Sequence, residues 1–387
     1  MAPLSLGVVS TYPPREDGLA TFTHDLLDAL HATRPDTCLH VAAINAVGTR
    51  HQYPPEVRHQ IRQGVRSAYA YAATALNYAP IDVITMQHEF TLYGRWDEAH
   101  VHLDDHTPAL LDALDKPLVT TLHTVPRQPE REVLAAVRHL HERSAALIVM
   151  ARTAVSILAE DYGVDGARIV TIPHGVPPVP SWDAAAVKRE LDVHGDTVLC
   201  TFGLLRRSKG IEHVIRALPA IVERHPEVVY LVVGATHPEV RQQQGETYRQ
   251  ELAQLARALG VGRHVRFVNK YLCQDDLLRY LCATDIYITP YLDREQITSG
   301  TLAYALGFGL AIVSTPYVHA IEALSEGRGL LAEFGSPESI ARCVMRYLDD
   351  PAFACQTRER ARAYGRAMSW PCVAERYAEV LERVIGG

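Results

Sequence analysis

The chain has 387 residues, of which 48% are hydrophobic and 21% are charged, and these values are typical of a globular protein long enough for two domains. Its formal charge is −7, and residues 1–180 hold 14 Lys and Arg against 20 Asp and Glu, which disfavours a broadly basic surface for nucleic acid or anionic membranes. The seven cysteines include no C-x-x-C pair, so a disulfide framework and a zinc site are both disfavoured.

The N-terminal residues lack the basic stretch of a secretion signal and enter LSLGVVS, which predicts a first strand. The sequence contains no uninterrupted apolar run of about 18 residues, so it predicts no membrane-spanning helix. We therefore expect a cytoplasmic protein for which nucleic-acid binding and membrane association are disfavoured. The sequence leaves the oligomeric state open.

A loop of residues 11–20 follows the first strand and leads into the helical segment TFTHDLLDALHA, whose apolar side chains share one face. Gly18 lies in this loop where the helix begins, and a glycine there lets a ligand approach the backbone closely. Gly18 is therefore a candidate binding residue. CLHVAAIN predicts the second strand.

Residues 56–79 are predicted to be helical, with Arg58, Arg62 and Arg66 spaced four residues apart on one face. Such a stripe could steer an anionic acceptor toward the protein. A solvated helix face is the more common explanation of the same pattern.

Two histidines follow buried strands in the first half of the chain. His88 and Glu89 come directly after IDVITMQ, and His123 comes after PLVTTL. Ligands of an open parallel sheet bind at the carboxyl ends of its strands, so these three side chains are candidates for the site. A lone histidine is more often structural, but two histidines at two strand ends favour a function.

The segment RIVTIPHGVPPVPSW has prolines at positions 173, 177, 178 and 180, which interrupt regular structure. Such a stretch is typical of a linker between domains. We place the boundary near Trp182, which gives an N-terminal domain of residues 1–181 and a C-terminal domain of residues 182–369. The closing residues, 370–387, are predicted to be helical.

The second half begins with TVLCTFG, a buried strand, and Arg206, Arg207 and Lys209 lie between it and the helix IEHVIRALPAIVERHP. Cations and backbone amides at a strand end and a helix start converge on a phosphate. The alternative is a solvated basic turn. Two later strands, VYLVVGATHP and HVRFVNKYL, place Gly234 and residues 269–272 at the same edge of the predicted sheet.

Residues 285–317 alternate a β-branched strand, a polar loop, a helix of small residues and a second strand, which predicts one βαβ step of a parallel sheet. The loop, residues 295–301, lies where a strand ends and a helix begins. Free backbone N–H groups and the helix dipole favour an anion there. An ordinary helix-capping loop explains this segment equally well when it is taken by itself.

With these motifs, nearly the whole chain resembles the retaining family 4 (group 1) glycosyltransferases. Residues 295–301 resemble their sugar-nucleotide loop, IPHGV resembles the end of their N-terminal domain, and the loop with Lys209 resembles their phosphate-binding loop. The resemblance implies the GT-B fold, an α/β architecture of two facing doubly wound Rossmann-like domains with the active site in an interdomain cleft. It also implies that the C-terminal helix, residues 370–387, packs back on the N-terminal domain.

The resemblance implies roles for the sugar-nucleotide loop. In the family two glutamates bracket this loop, the first contacting the donor sugar and the second holding the ribose. Here Gln296 and Tyr304 occupy these positions, and the neighbouring Glu295 could contact the sugar instead. In the family the loop amides hold the diphosphate. In this sequence those amides belong to Thr298, Ser299, Gly300 and Thr301.

The resemblance extends to the other candidates. Lys209 matches a phosphate-binding lysine of the family, and Arg206 or Arg207 would substitute for an arginine whose position is occupied by Leu204. His123 matches a histidine beside the donor sugar. The remaining substrate-binding candidates are Gly18, His88, Glu89, Gly234, Asn269, Lys270 and Tyr271, of which the last three would line the base pocket.

We therefore predict a metal-independent enzyme that transfers a hexosyl unit from a nucleotide-diphosphate sugar to an acceptor hydroxyl with retention, without a further cofactor. The predicted catalytic residues are His123, Glu295, Arg206 and Lys209. No G-x-G-x-x-G follows a strand and no P-loop motif occurs, which disfavours a nicotinamide dehydrogenase and a P-loop enzyme. The alternatives are a glycoside phosphorylase on the same fold, favoured by Tyr304 in place of the ribose-binding glutamate, and a non-catalytic sugar- or nucleotide-binding protein.

Overall fold

A computed structural model of the protein describes residues 4–96, 102–193 and 197–386. The chain divides into two compact units. The first unit comprises Met1–Gly175 and Trp370–Gly387, and the second unit comprises Val176–Ser369. Each unit is built around its own parallel sheet, so both are α/β units.

The first unit begins with a strand and a helix and continues with alternating elements. In chain order these are β1 (Ser5–Ser10), α1 (Gly18–Thr33), β2 (Cys38–Asn45), β3 (Val57–Arg62), α2 (Arg66–Tyr78), β4 (Val83–His88), β5 (Gly94–Trp96), β6 (His102–Asp105), α3 (Thr107–Leu111), β7 (Leu118–Leu122), α4 (Arg131–Arg143), β8 (Ala146–Val149), α5 (Arg152–Tyr162) and β9 (Ile169–Thr171). Seven of the strands in the described residues form one sheet in the order β3-β2-β1-β4-β7-β8-β9, and all its pairs are parallel. Every residue of β4 and β7 is buried, as expected for central strands covered on both faces.

The predicted helix over residues 56–79 is wrong in its first half. Val57–Arg62 is a strand that pairs in parallel with β2, and the helix begins only at Arg66. Within the strand, Arg58 and Arg62 are exposed and Ile61 is buried. A spacing of four residues satisfies the two-residue period of a strand as well as one helical turn, so the arginines did not distinguish the two structures. They do not line one helix face.

The second unit repeats the alternation of strands and helices. Its elements are α6 (Ala184–Glu190), β10 (Thr197–Phe202), α7 (Ile211–Arg224), β11 (Val228–Val233), α8 (Pro238–Gln244), α9 (Thr247–Ala258), β12 (Val265–Val268), α10 (Gln274–Cys282), β13 (Ile286–Thr289), α11 (Gly300–Phe308), β14 (Ala311–Ser314), α12 (Val318–Ala323), β15 (Leu330–Leu331), α13 (Pro337–Asp349) and α14 (Pro351–Gly365). Its sheet has the order β12-β11-β10-β13-β14-β15, again with parallel pairs.

This second sheet separates two hydrophobic cores. Along β10, Val198, Cys200 and Phe202 belong to one core, whereas Leu199 belongs to the other. Alternate side chains of a strand point to opposite faces, so helices cover both faces of the sheet. Burial on both faces explains why the strands of this unit are continuous apolar runs in the sequence.

The last helix, α15 (Trp370–Gly386), belongs to the first unit and packs against α1. The Arg34 guanidinium donates to the Glu375 carboxylate at 2.9 Å and to that of Glu382 at 3.1 Å. Elsewhere on the same helix, the Tyr377 hydroxyl lies 3.1 Å from the hydroxyl of Thr121 in β7. Together they attach the helix to α1 and to the sheet.

The predicted βαβ step over residues 285–317 is confirmed, since β13, α11 and β14 follow one another and the two strands pair in parallel. Across the three described ranges, no helix is both long enough and apolar enough to cross a bilayer.

Candidate functional site

In the second unit, the strand order reverses between β10 and β13, which are neighbours in the sheet. Ligands of doubly wound sheets bind beyond the carboxyl ends of such strands. Two glycines bring the backbone segments there close together. Gly210 has a φ of +62°, and a Cβ on it would lie 2.1 Å from the Pro290 carbonyl oxygen; Gly234 has a φ of +136°, and its Cβ would lie 2.1 Å from the Gly203 oxygen. Side chains other than hydrogen do not fit at either position.

Lys209 ends a short 3₁₀ turn, Arg207–Lys209, between β10 and α7. Its Nζ lies 3.6 Å from the centroid of the Tyr291 ring. Burial, followed by the nearby charge of Arg206, lowers the pKa of Lys209 to about 7, although Asp293 acts in the opposite direction. No carboxylate of the described residues forms an ion pair with this ammonium. A half-buried cation without a counter-ion is suited to bind an anion.

The two arginines of the turn differ in their surroundings. Arg207 donates to the Glu251 carboxylate at 2.6 Å, and its guanidinium lies 5.2 Å from the centroid of the Tyr248 ring, so both contacts direct it toward α9. Arg206 is exposed and close enough to Lys209 to lower its pKa. Of the two, Arg206 is therefore the arginine that shares the surroundings of Lys209.

The first turn of α11 lies beside Lys209. Ser299 is its N-cap, and the serine hydroxyl accepts the Leu302 N–H at 3.3 Å. The N–H groups of Gly300 and Thr301 have no acceptor among the described residues. The Thr301 hydroxyl lies 2.7 Å from the Tyr291 hydroxyl, which connects this turn to the ring under Lys209. A helix N-terminus with free N–H groups adds partial positive charge to the same place.

The loop before α11 is fixed by contacts with its own backbone and with α12. The Gln296 side-chain amide donates to the Thr298 carbonyl at 2.9 Å, and the Ser299 N–H donates to Nδ1 of His319 at 2.9 Å. Glu295 is exposed, and its carboxylate has no partner among the described residues. Of the two adjacent side chains, Gln296 therefore holds the loop while Glu295 stays available to a ligand.

Tyr304 lies in the hydrophobic core, with 6% of its surface exposed. Its ring meets the ring of Phe202 edge-on, with 6.1 Å between the centroids. Helix α11 is apolar around most of its circumference and is buried accordingly. The side chain at the ribose position thus packs mainly against protein.

The loop after β12 carries the three residues predicted to line a base pocket. Asn269, Lys270 and Tyr271 are all exposed, and the Lys270 ammonium pairs with Asp276 at 2.9 Å. Gly234, at the end of the adjacent β11, is half-buried. The loop therefore presents three exposed residues at this edge of the sheet.

In the first unit, His123 lies at the end of β7, and its Nε2 is 2.9 Å from Oε1 of Gln87. The rings of His123 and Phe22 are nearly perpendicular, with 5.0 Å between centroids. Burial, with smaller effects of His174 and His88, lowers the pKa of His123 to about 3. The ring is therefore neutral at physiological pH, with Nε2–H donating to Gln87 and Nδ1 as its acceptor nitrogen.

His88 and Glu89 lie at the adjacent end of β4. His88 is 1% exposed and stacks on Tyr93 with 5.3 Å between centroids, and burial lowers the pKa of this histidine to about 3. The Glu89 carboxylate accepts a hydrogen bond from the Thr124 hydroxyl, which follows His123 in the next loop. The structure thus brings His88, Glu89 and His123 to one edge of the first sheet.

Gly18 is the first residue of α1, and Asp17 caps that helix. The Asp17 carboxylate accepts the Ala20 N–H at 2.7 Å and the Thr11 hydroxyl at 2.8 Å, and it pairs with Arg15 at 2.6 Å. A Cβ on Gly18 would meet no atom within 4 Å. Asp17 therefore caps the helix and leaves open space beside Gly18.

Two family descriptions match the chain almost end to end: Glycosyltransferase Family 4 over residues 16–179 and Glycosyl transferases group 1 over residues 184–368. The chain belongs to the group 1 glycosyltransferases of family 4.

Relatives and solved structures agree with this assignment. The glycosyltransferase is 27% identical to a phosphatidyl-myo-inositol mannosyltransferase of Mycolicibacterium smegmatis over 305 residues, which cover 76% of this chain and 72% of the relative. Sucrose-phosphate synthase from Thermosynechococcus elongatus superposes with a TM-score of 0.79 at 16% identity, covering 99% of both chains. Anabaena HepE in complex with UDP gives a TM-score of 0.75 at 15% identity, covering 98% of this chain and 100% of that one. The fold is GT-B.

Several residues around the two sites of the glycosyltransferase were missed by sequence reasoning. They are Phe22, Gln87, His174, Tyr291 and His319. Gln87 directly precedes His88 in β4, so its proximity to the strand end was a usable signal. Tyr291 resembles any buried aromatic residue after a strand, and only the fold brings Lys209 onto its ring.

Proposed function

We propose that this glycosyltransferase moves a hexosyl unit from a nucleotide-diphosphate sugar to an acceptor hydroxyl with retention of configuration and without a metal ion. The observation that carries the proposal is the Lys209 ammonium, which pairs with no carboxylate of the described residues. It is linked through Tyr291 to the first turn of α11, whose Gly300 and Thr301 N–H groups have no acceptor in the same part of the chain. Cation and amides together are suited to a diphosphate.

In the proposed reaction, the bond between the anomeric carbon and the phosphate oxygen breaks, and its electron pair leaves with the diphosphate. A bond from the anomeric carbon to the acceptor oxygen forms on the same face, and the proton of the acceptor hydroxyl passes to the departing diphosphate oxygen. Lys209, Arg206 and the amides of Gly300 and Thr301 neutralise the departing charge, which is the main catalytic contribution. With this charge supplied by the protein, no metal is needed, and Glu295 is left to contact the sugar.

For the first unit, we assign His123 to the donor sugar, and Gly18, His88 and Glu89 to substrate binding. Both histidines have pKa values lowered to about 3 by burial, so they act as neutral hydrogen-bonding groups. His123 would accept a hydrogen bond from a sugar hydroxyl at Nδ1, because its Nε2–H donates to Gln87. Its role is therefore orientation of the sugar.

We further assign the enzyme to a reducing compartment such as the cytoplasm, because all seven cysteines are free thiols.

The test is a screen of UDP- and GDP-linked hexoses for hydrolysis and for transfer to sugar and inositol acceptors, with and without EDTA. We expect product with at least one donor, an unchanged rate in EDTA, and an anomeric configuration by NMR equal to that of the donor. Inversion at the anomeric carbon, or loss of activity in EDTA that Mg²⁺ restores, contradicts the corresponding part of the proposal.

One observation favours a second function, a glycoside phosphorylase. The ribose position holds Tyr304, which is buried against Phe202 and offers no carboxylate. Such an enzyme would use inorganic phosphate in place of the diphosphate at Lys209. The same screen repeated with hexose 1-phosphates distinguishes the two, since turnover with these donors alone identifies a phosphorylase. Binding without turnover in either arm identifies a non-catalytic protein.

A further inference from the structure

We infer that Tyr291 is a positioning residue, which holds the Lys209 ammonium and the first turn of α11 in place for the diphosphate. The inference rests on the proposed function and adds a residue to it. Tyr291 lies just beyond β13, and 1% of its surface is exposed. It contacts both parts of the anion site, the cation through its ring and the helix through its hydroxyl.

The ring face supplies the partner that the ammonium lacks. Lys209 Nζ lies 3.6 Å from the ring centroid. The negative face of an aromatic ring attracts an ammonium, and the attraction grows when the pair is shielded from water. The other charged groups acting on this lysine are Arg206, which opposes its charge, and Asp293, which favours it. Tyr291 thus favours the protonated lysine without occupying the anion position as a carboxylate would.

The hydroxyl acts on the helix. It lies 2.7 Å from the Thr301 hydroxyl, which in turn lies 3.2 Å from the Ser299 hydroxyl. Ser299 caps the Leu302 N–H. This row of hydroxyl groups orients the first turn, in which the Gly300 and Thr301 N–H groups have no acceptor among the described residues. A shift of the tyrosine would therefore move the lysine and these amides together.

The tyrosine is itself held in one orientation. Its ring stacks on Tyr317 with 5.6 Å between centroids and 17° between the planes. Its carbonyl oxygen accepts the Thr315 hydroxyl at 2.6 Å. Burial raises the pKa of Tyr291, so the group stays a neutral phenol. A ring that is held in place and uncharged is suited to position the flexible lysine side chain.

The experiment measures binding of UDP and of GDP to the full-length enzyme by calorimetry between pH 6 and pH 9. Tyr291→Leu removes the ring, Tyr291→Phe keeps the ring and removes the hydroxyl, and Lys209→Met tests the site itself. Tyr347→Leu is the matched control, because Tyr347 is another buried tyrosine of the second unit, whose hydroxyl donates to the backbone carbonyl of Ile312 and contacts neither Lys209 nor α11 among the described residues.

A cation–π contact of ordinary strength predicts that Tyr291→Leu weakens nucleotide binding by about 3–30-fold. In Tyr291→Leu, nucleotide affinity should begin to fall at a lower pH than in the wild type. Without the ring, the lysine of the unliganded enzyme is less easily protonated. Tyr291→Phe should keep the wild-type pH break. In the double variant with Thr301→Val, the loss of affinity should be less than the sum of the two single losses, because both substitutions break the contact between the Tyr291 and Thr301 hydroxyl groups. Tyr347→Leu should bind nucleotide as the wild type does.

The inference is overturned if Lys209→Met loses binding while Tyr291→Leu keeps the wild-type affinity and pH break; the proposed function then stands. A wild type that binds neither nucleotide overturns both. If Tyr291→Leu does not fold, phenylalanine is compared with 3,4,5-trifluorophenylalanine at position 291, which keeps the shape and weakens the negative ring face. Equal affinity of these two proteins also refutes the role of the ring.

Discussion

Binding of a nucleoside diphosphate to this enzyme should take up a proton at Lys209. Burial lowers the pKa of this lysine to about 7 in the free protein, and a diphosphate against the ammonium should raise it again. At pH 8 about nine-tenths of the free lysine is neutral, whereas the bound lysine is charged, so about 0.9 proton should be bound per nucleotide. At pH 7 the expected uptake is about half a proton.

The assay is calorimetry of UDP or GDP binding at pH 8 in buffers of different ionisation enthalpy, whose slope gives the number of protons taken up. The terminal phosphate of the ligand loses its last proton with a pKa of about 6, so it contributes little at pH 8. Lys209→Met keeps an apolar stem on the Tyr291 ring and removes the titrating group. This variant should show no uptake and bind about 10–150-fold more weakly, as for loss of a charged hydrogen bond. Tight binding by the wild type without proton uptake at pH 8 refutes the reasoning.

The lowered pKa of Lys209 should also make the free energy of unfolding depend on pH. Its folded pKa of about 7 lies below its ordinary value of 10.5, so between these values the unfolded chain binds more protons than the folded one. The free energy of unfolding should therefore rise with pH through this window, and the destabilisation by Lys209 should be complete below it. The rise should be smaller in Lys209→Met, which denaturant titration at pH 7 and pH 9.5 measures.

Three further substitutions test individual residues. Arg206→Ala should weaken nucleotide binding by about 10-fold or more, whereas Arg207→Ala, which breaks an exposed pair on α9, should change it by less than about 3-fold; the reverse order in calorimetry contradicts our choice between them. His123→Ala should lower turnover strongly and leave nucleotide affinity nearly intact, because it contacts the sugar; equal losses in kinetics and binding would indicate a structural role. Tyr304→Phe should cost well under about 1 kcal/mol of nucleotide affinity, and a large loss with unchanged circular dichroism would show that the phenol holds the ribose.

The sequence was most informative where the spacing of apolar residues fitted either a helix or a strand but not both. The run from β13 through α11 to β14 was predicted correctly because an apolar strand, a small-residue helix and a second apolar strand leave no other assignment. Residues 56–62 were assigned wrongly because arginines four apart fit a strand as well as a helix. Pairing with β2 decided the outcome, and such pairing is a long-range contact that local periodicity does not contain.

The site shows the same division between local and long-range information. Lys209 was found from its place between a strand and a helix, which is a local signal. The choice between Arg206 and Arg207 depended on Glu251, more than forty residues away in sequence, so the sequence left it open. Tyr291 was missed for the same reason, since its function depends on Lys209 lying on its ring. A residue whose role depends on a contact with a distant part of the chain can be identified only when the fold is known.

The attachment of α15 to the first unit has a consequence for synthesis of the chain. Residues 176–369 are translated between the strands of the first unit and the helix that closes it. At about 5–20 residues per second, this interval lasts roughly 10–40 s. During that time the surface of α1 that receives α15, including Arg34, has no helix to cover it. The half of the protein that leaves the ribosome first is therefore the half that finishes folding last, and it is the part for which we expect a chaperone to be needed.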